Sequence, residues 1–364
     1  MTPASSGKTA QFPCKSCGGK LEFSPGTTVL KCPWCGTENA IVQEGQGPVE
    51  QDFLAALTAL SDKQESCDRI EIHCETCGAK TFFLANITAD RCAFCGAPVV
   101  ARQSSRKLIK PNGLLPFKTT REESIKQFQG WVKGLWFAPG DLRKMASAAR
   151  VDGIYIPSWT YDCLTQTDYT GQRGDDYWAT ETYTTTVNGR TVQQTRQVRR
   201  TRWSFVSGTV SNTFDDVLVV AGTSLPVTLA QSLEPWDTRD AVAYSDEYVS
   251  GFVCESYQLD LKAGFEQARQ IMDVTIRRTI CRDIGGDHQQ ISTVSTGYDK
   301  IGFKHLLLPV WMSAYRYHDK TYRFLVNART GEVQGQRPWS IVKITLAVLA
   351  VLACVTAVIV AFAS

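Results

Sequence analysis

Two identical sets of four cysteines constrain the fold of this chain more than any other feature. Each set has the spacing C-x2-C-x14-C-x2-C, and the second begins 60 positions after the first. Zinc prefers tetrahedral coordination by thiolates, and two C-x-x-C turns brought together by a hairpin supply four of them. The spacing therefore predicts two structural zinc ions per chain, one held by Cys14, Cys17, Cys32 and Cys35 and the other by Cys74, Cys77, Cys92 and Cys95.

These sets predict two small zinc ribbons, at residues 13–42 and 73–101. Because protein thiolates fill all four positions, neither ion has an open site for water, and we expect no catalysis by the metal. A redox-active pair is the alternative, for which Cys32-Pro33-Trp34-Cys35 alone would qualify. Four evenly paired motifs without a surrounding βαβ pattern favour metal binding. Structural zinc couples to folding, so chelation is expected to unfold the first hundred residues and to spare the rest.

The C-terminal segment predicts a single transmembrane helix over residues 341–363. From Ile344 to Ala363 there are twenty residues without a charge, which as a helix would span roughly 30 Å, the thickness of the hydrocarbon core. Arg337 and Lys343 precede this run and only Ser364 follows it. Residues 1–12 have no secretory signal and are expected to be disordered. Because positive residues stay inside and reduced cysteines suit the cytosol, we expect a tail-anchored protein with cytoplasmic N-terminal domains.

Between the ribbons and the membrane helix, residues 105–340 predict an α+β domain. Thr120 and Glu123 form a capping box that begins a helix, and Pro139 is expected to open a shorter one. Asn188-Gly189 lies between two Thr- and Val-rich runs and predicts a hairpin. Apolar spacing predicts another helix from Asp260 to about residue 282, and a short one within the linker 43–72, at about 50–65.

The predicted fold class is therefore α+β, with two small zinc ribbons, a mixed antiparallel β-rich domain with packed helices, and one C-terminal transmembrane helix. A weaker duplication lies within the β-rich domain. The segments Ile156-Pro157-Ser158-Trp159 and Leu308-Pro309-Val310-Trp311 both follow a helix and both lead into a strand that contains tyrosine. This similarity suggests two related helix-plus-sheet halves, with a chance match as the alternative.

The sequence offers no assembled catalytic motif, and we expect a protein that is not an enzyme. None of the four histidines lies in a G-x-S-x-G or H-E-x-x-H context, and no phosphate-binding loop is present. Trp34 and Phe94, with nearby lysines, could stack on bases. The net charge of +3 is too small to indicate nucleic-acid binding by itself. The densest basic run, Arg190 to Arg202, is either a solvated hairpin face or a contact with anionic lipid.

The Cys-x-x-Cys-Gly ribbons, the segment 153–162 and the run Leu307-Leu308-Pro309-Val310-Trp311 before a terminal membrane helix resemble a bacterial family of membrane-anchored zinc-ribbon proteins. Its members carry names taken from the primosomal replication helicase or from transcription-factor ribbons. The helicase name transfers poorly, because the chain has no helicase ATP-binding motif. The resemblance covers most of the chain and implies an adaptor role beside membrane-stress machinery of the phage-shock type.

The expected function is a membrane-tethered cytoplasmic adaptor or scaffold that recruits protein partners to the membrane. Another membrane protein is an expected partner of the transmembrane helix, since Ala353, Ala357 and Ala361 share one face of it. The alternative function is a membrane-anchored nucleic-acid-binding protein related to replication or transcription.

Overall fold

The computed structural model describes residues 12–42, 47–61, 67–82, 92–95, 97, 103–140, 142, 151–187, 190–317 and 320–363. The strands are β1 (Glu22–Phe23), β2 (Val29–Lys31), β3 (Glu38–Ala40), β4 (Gln51–Asp52), β5 (Cys67–His73), β6 (Lys80–Phe82), β7 (Gln103–Leu108), β8 (Gly113–Leu114), β9 (Asp152–Val187), β10 (Arg190–Val220), β11 (Val242–Ala243), β12 (Val253–Glu255), β13 (His288–Tyr317), β14 (Lys320–Asn327) and β15 (Val333–Gly335). The helices are α1 (Phe53–Ser61), α2 (Arg121–Lys133), α3 (Val227–Gln231), α4 (Leu261–Ile284) and α5 (Ile341–Ala363), with a 3-10 turn at Thr238–Asp240.

Three very long strands dominate the main sheet. β9 has 36 residues, β10 has 31 and β13 has 30, and β9 pairs antiparallel with both of the others. β14 and β15 continue the sheet beyond β13, while β8 and β12 pair with β13 and β9 in parallel. A separate sheet of β1, β2 and β3 forms the first ribbon. The α+β class with a mixed β-rich sheet is confirmed.

The main sheet contains an internal two-fold repetition, as the duplicated Pro and Trp segments suggest. Ile156 lies directly opposite Leu308, and Pro157 and Pro309 flank this pair on the two neighbouring strands. Each half runs strand, helix, long strand, return strand: β8, α2, β9 and β10 in the first, and β12, α4, β13 and β14 in the second. The first strand of each half pairs in parallel with the long strand of the other half.

The same hydrogen bonds recur in the two halves. Trp159 Nε1 donates to the carbonyl oxygen of Leu259 over 2.9 Å, just before α4 begins. Trp311 Nε1 donates to the carbonyl oxygen of Thr119, also over 2.9 Å and just before α2 begins. Repeated contacts of this detail between side chains and helix starts support two related halves rather than a chance match.

Local sequence determines where the helices begin. Thr120 and Glu123 form the expected capping box at the start of α2, which buries Phe128 and Val132. Asp260 caps α4 by accepting a hydrogen bond from the backbone N–H of Ala263, 2.7 Å away. The predicted linker helix begins later than expected, at Phe53, and it is described to Ser61, because residues 62–66 lie outside the described part of the chain.

Several other predictions lie wholly or partly outside the described residues. The helix expected after Pro139 falls mostly in 141 and 143–150, and the expected disorder falls in residues 1–11. The turn residues Asn188 and Gly189 are also outside the described part. The hairpin itself is confirmed, because Val187 pairs with Arg190 and the strands stay in register to Phe214 and Cys163.

Candidate metal centres

The first cysteine set lies at two turns of the β1–β3 ribbon. The glycines after its C-x-x-C pairs, Gly18 and Gly36, have φ angles of 73° and 75°, in the left-handed region where glycine carries no steric cost. These turns bring four Sγ atoms within 4.8 Å of one another, from Cys14, Cys17, Cys32 and Cys35. The Sγ–Sγ distances are 3.5 Å between Cys14 and Cys35 and 3.5 Å between Cys17 and Cys32.

The second set has the same arrangement. The Sγ atoms of Cys74 and Cys95 lie 3.7 Å apart, as do those of Cys77 and Cys92. A metal ion with four thiolates at about 2.3 Å has sulfur–sulfur edges of about 3.8 Å in a regular tetrahedron. Both clusters therefore have the donor set and the size that a tetrahedral metal ion requires, and each could hold one such ion.

Within each cluster the thiols differ in acidity. The Thr37 hydroxyl, 3.1 Å from the sulfur, and the Thr37 backbone N–H lower the pKa of Cys35 to about 6. Burial acts to raise the pKa of Cys74, but backbone N–H donors of Cys77 and Thr76 outweigh it and bring the value to about 7. Each cluster thus contains a thiol whose pKa lies close to neutral pH.

The two candidate centres lie against opposite faces of the main sheet. The first ribbon packs Phe23 and Leu30 into one core with Tyr155 of β9 and Trp311 of β13. The second ribbon packs into another core, whose sheet residues are Ile154, Ile156, Val310, Met312 and Leu325. Since successive side chains of a strand point to opposite faces, these two sets cannot share a face. The ribbons therefore form two layers of one α+β unit rather than separate modules.

Equivalent aromatic residues in the two ribbons have opposite environments. Trp34 lies in the second knuckle of the first ribbon and is 82% exposed, whereas Phe94, 60 positions later, is fully buried. Phe94 therefore packs in the core and cannot stack on bases. Trp34 and Phe94 also belong to ribbons on opposite faces of the sheet. The nucleic-acid face expected from this pair is not assembled, because burial removes one of its two aromatic side chains.

The arginine-rich run lies on the β9–β10 hairpin, beyond the point where β13 begins. His288, the first residue of β13, pairs with Gly174, so residues 175–187 and 190–202 form a two-stranded ribbon that we call the arm. As expected, Arg196, Arg200 and Arg202 share one face of it. Arg196 and Arg200 form ion pairs with Glu181, and Arg199 pairs with Asp176. These carboxylates offset much of the positive charge that would attract anionic lipid.

A charged cluster that the sequence did not indicate lies where bulges interrupt the long strands. The Nζ atom of Lys304 is 2.8 Å from Asp216, 3.2 Å from Glu50 and 3.4 Å from Asp162. Burial raises the pKa of Asp162 to about 6, while the Lys304 ammonium holds that of Asp216 below its usual value against the effect of burial. The ammonium already supplies the positive charge that these carboxylates need. Only the bulges bring Asp216 and Lys304 together, so no local motif indicated them.

A second unexpected group is the fully buried carboxylic acid of Glu255. Its Oε1 accepts a hydrogen bond of 2.9 Å from the backbone N–H of Ser224. Its Oε2 has no hydrogen-bond partner among the residues that the structure describes. Burial raises the pKa of Glu255 to about 7. The group is therefore neutral or half-ionised at neutral pH, because desolvation disfavours the charged form.

The helix α5 is the one candidate membrane span among the described residues, covering Ile341–Phe362. Its side chains are exposed or half-exposed throughout, and none of them is buried against the rest of the chain. An apolar helix that finds no protein surface to cover it has the length and composition to cross a membrane.

Comparison with known proteins gives a relationship but not an activity. No protein-family model matches the chain, and no solved structure matches it significantly. The chain is 23% identical over 344 residues to the uncharacterized protein YdjG of Bacillus subtilis (strain 168), and the alignment covers 90% of each protein. The similarity thus runs along most of both chains instead of being confined to one cysteine-rich segment.

Proposed function

We propose that this chain is a membrane-tethered adaptor that binds two zinc ions and recruits a protein partner through the arm. In this proposal α5 crosses the membrane and the rest of the chain lies in the cytoplasm. Zinc is the metal that four thiolates in a closed tetrahedral site favour. Arg337 before α5 and Lys343 in its first turn support a cytoplasmic N-terminal side, as does the need of eight thiols for a reducing compartment.

The observation that carries the proposal is the exposure of large aromatic side chains on and beside the arm. Trp178 is 70% exposed within it, and Phe205 is 87% exposed just beyond its base. Tyr177, Tyr183 and Trp203 are also exposed. Exposure of such residues to water does not stabilise the two-stranded arm. Trp, Tyr and Arg together are the residue types enriched at the energetic centres of protein interfaces.

The position of the arm suits recruitment at a distance from the membrane. The segment before α5 is attached to β14, because the backbone N–H of Gln336 donates to the carbonyl oxygen of Arg323. Arg323 pairs with Ala314 of β13, which lies two residues beyond the Met312–Asp152 pair at the start of β9. The start of α5 therefore lies near the Asp152 end of β9, whereas the tip of the arm follows Val187. Along 36 strand residues this separation is on the order of 100 Å. An arm held at the opposite end of the sheet from the anchor favours a partner in solution over the lipid that surrounds α5.

The rival function, nucleic-acid binding, has less support. Phe94 is buried, and the arginines of the arm that form ion pairs are not free to neutralise phosphates. Phosphate contacts usually need a concentrated positive surface. The proposal includes a role in membrane-stress response, and the only support for that role is the family resemblance.

The test uses the full chain in nanodiscs with a photo-crosslinking residue at position 178 of the arm or at position 34 of the first ribbon. The adaptor proposal expects a discrete protein adduct from position 178. Adding Trp203→Ser should abolish this adduct, whereas the control substitution Trp34→Ser should leave it unchanged. Labelled single-stranded DNA and RNA are titrated in parallel at low and high salt. Micromolar binding that falls steeply with salt and disappears with Trp34→Ser would support the rival and reject the adaptor.

The orientation is tested separately. Protease added outside intact cells should leave both ribbons uncut, because they lie behind the membrane in the proposed topology. Cleavage within residues 13–42 under these conditions would show that the orientation is reversed.

A further inference from the structure

The loop that follows α2, residues 134–140, is uncharged and reads Gly-Leu-Trp-Phe-Ala-Pro-Gly. Its central residue, Trp136, is 84% exposed, and no aromatic or hydrogen-bonding contact of its side chain is seen among the described residues. An indole costs free energy when it is left in water, since it is one of the largest apolar side chains. A loop that presents it outward therefore indicates an occupant outside the chain.

This loop is attached to the first turn of α5. The backbone N–H of Ser340 donates to the carbonyl oxygen of Phe137 over 2.7 Å. The Nζ atom of Lys343 donates to the carbonyl oxygen of Ala138 over 2.8 Å. The rings of Phe137 and Trp339 are 6.5 Å apart. These contacts hold Trp136 at the level where the charged residues before α5 give way to its uncharged run.

The segment that enters α5 carries the residue types that favour a lipid headgroup region. Trp339 is 56% exposed, and the Arg337 guanidinium lies 4.3 Å from the centre of its ring. Indole rings are enriched where headgroups meet acyl chains, and basic residues beside them pair with lipid phosphates. Trp136 and Trp339 thus belong to one surface, which we call the shelf and define as residues 134–140 and 337–343.

We propose that the shelf rests on the membrane surface, with Trp136 inserted among the lipid headgroups beside α5. The inference rests on the proposed membrane insertion of α5 and adds a second, non-helical contact with lipid. A single helix alone would let the domain swing freely on its anchor. A Trp seated one loop away from the helix fixes the tilt of the sheet and therefore directs the arm away from the membrane.

The occupant is lipid rather than a protein partner, because the shelf is continuous with the membrane-spanning run. Lys343 is the last charged residue before twenty uncharged ones, and its side chain turns back to bond with Ala138 of the loop. The loop and the start of the uncharged run of α5 are thus in direct contact through Lys343. Any protein seated on Trp136 would have to lie within the headgroup layer itself.

The experiment uses the full chain labelled with 5-fluorotryptophan and reconstituted in nanodiscs of phosphatidylcholine and phosphatidylglycerol. The ¹⁹F resonances of Trp136 and Trp339 are assigned with Trp136→Phe and Trp339→Phe, and that of Trp178 with Trp178→Phe as the matched exposed control. Lipid carrying a nitroxide near the top of the acyl chain should remove most of the Trp136 signal and leave Trp178 unchanged. A water-soluble gadolinium chelate should do the reverse.

Each outcome bears on the proposal. If Trp339 is broadened by the lipid nitroxide but Trp136 is broadened only by the aqueous chelate, α5 inserts and the shelf does not touch lipid, which overturns the inference alone. If neither is broadened by lipid and the chain does not co-float with vesicles, the membrane anchor fails and the shelf fails with it. If Trp136 responds equally in discs without phosphatidylglycerol, the contact is with the headgroup layer in general and not with its charge.

Discussion

Removal of the metal from the second ribbon should destabilise the whole domain and not only the ribbon. The sequence alone predicts that chelation unfolds the first hundred residues and spares the rest. The packing changes this, because the second ribbon covers one face of the main sheet. Beneath it lie five buried apolar side chains, those of Ile154, Ile156, Val310, Met312 and Leu325.

The magnitude follows from that burial. Full burial of such a side chain contributes about 1.5–3 kcal/mol, so five contribute about 7–15 kcal/mol as an upper bound. If the ribbon provides roughly half of their cover, its loss costs about 4–8 kcal/mol. A domain is typically stable by about 5–15 kcal/mol. Loss of a metal ion from the second cluster would therefore remove a large share of the stability of the sheet.

The assay combines measurement of metal release with hydrogen exchange on the detergent-solubilised chain. Complete chelation should release two ions, and backbone amides in 152–157 and 310–312 should lose protection. The α4 region should lose less, since it packs on the sheet further along, in the core formed with Trp159 and Tyr161. Cys74→Ser should reproduce the loss around the second ribbon, with Cys281→Ser as the control cysteine outside both clusters. Unchanged protection of 152–157 after full zinc release would show that the ribbons are independent modules and refute the reasoning.

Three further changes have outcomes set by the structure. Glu255→Gln keeps an acceptor for the Ser224 N–H and should stabilise the protein by about 1–3 kcal/mol at pH 8. In the parent chain the folded state holds a proton on Glu255 that the unfolded state releases. The free energy of unfolding should therefore fall by about 3 kcal/mol as pH rises from about 4.5 to 7. If Glu255→Gln shows the same fall in a denaturation series across pH, Glu255 is not its cause. Phe94→Ser should cost about 3–5 kcal/mol and Trp34→Ser about 0.5 kcal/mol or less in the same denaturant measurement, and equal costs would disprove the difference in burial. Ala357→Leu should weaken crosslinks between α5 and another membrane helix, and an unchanged crosslinking pattern would show that its alanine stripe is only composition.

Much of the fold could be predicted because local chemistry specifies it. The spacing of the cysteines, the capping box of Thr120 and Glu123, and the turn residues Asn188 and Gly189 each act within a few positions. The repeated Pro and Trp segments also predicted the two halves, because each Trp donates a hydrogen bond just before the helix of the other half.

The remaining features depend on contacts far apart in sequence. Lys304 meets Glu50 across 254 positions, and only strand bulges place Asp216 beside it. The burial of Glu255 depends on how β12 inserts between β6 and β9. The length of the arm could not be predicted either, because a Thr- and Arg-rich strand has the same sequence pattern whether it pairs with one neighbouring strand or with two.

The two repeats in this chain differ in what they imply for function. The halves of the sheet are related by a two-fold axis that keeps both tryptophans, Trp159 and Trp311, on one face. The ribbons lie on opposite faces, so this axis does not relate them. Although the cysteine spacing is identical, the second C-x-x-C turns of the two ribbons have different environments. Phe94 in the second ribbon is buried in the core, whereas Trp34 in the first ribbon is exposed. A repeated motif thus predicts repeated metal chemistry but not repeated exposure, and a surface function assigned to both ribbons from their sequence would hold for the first alone.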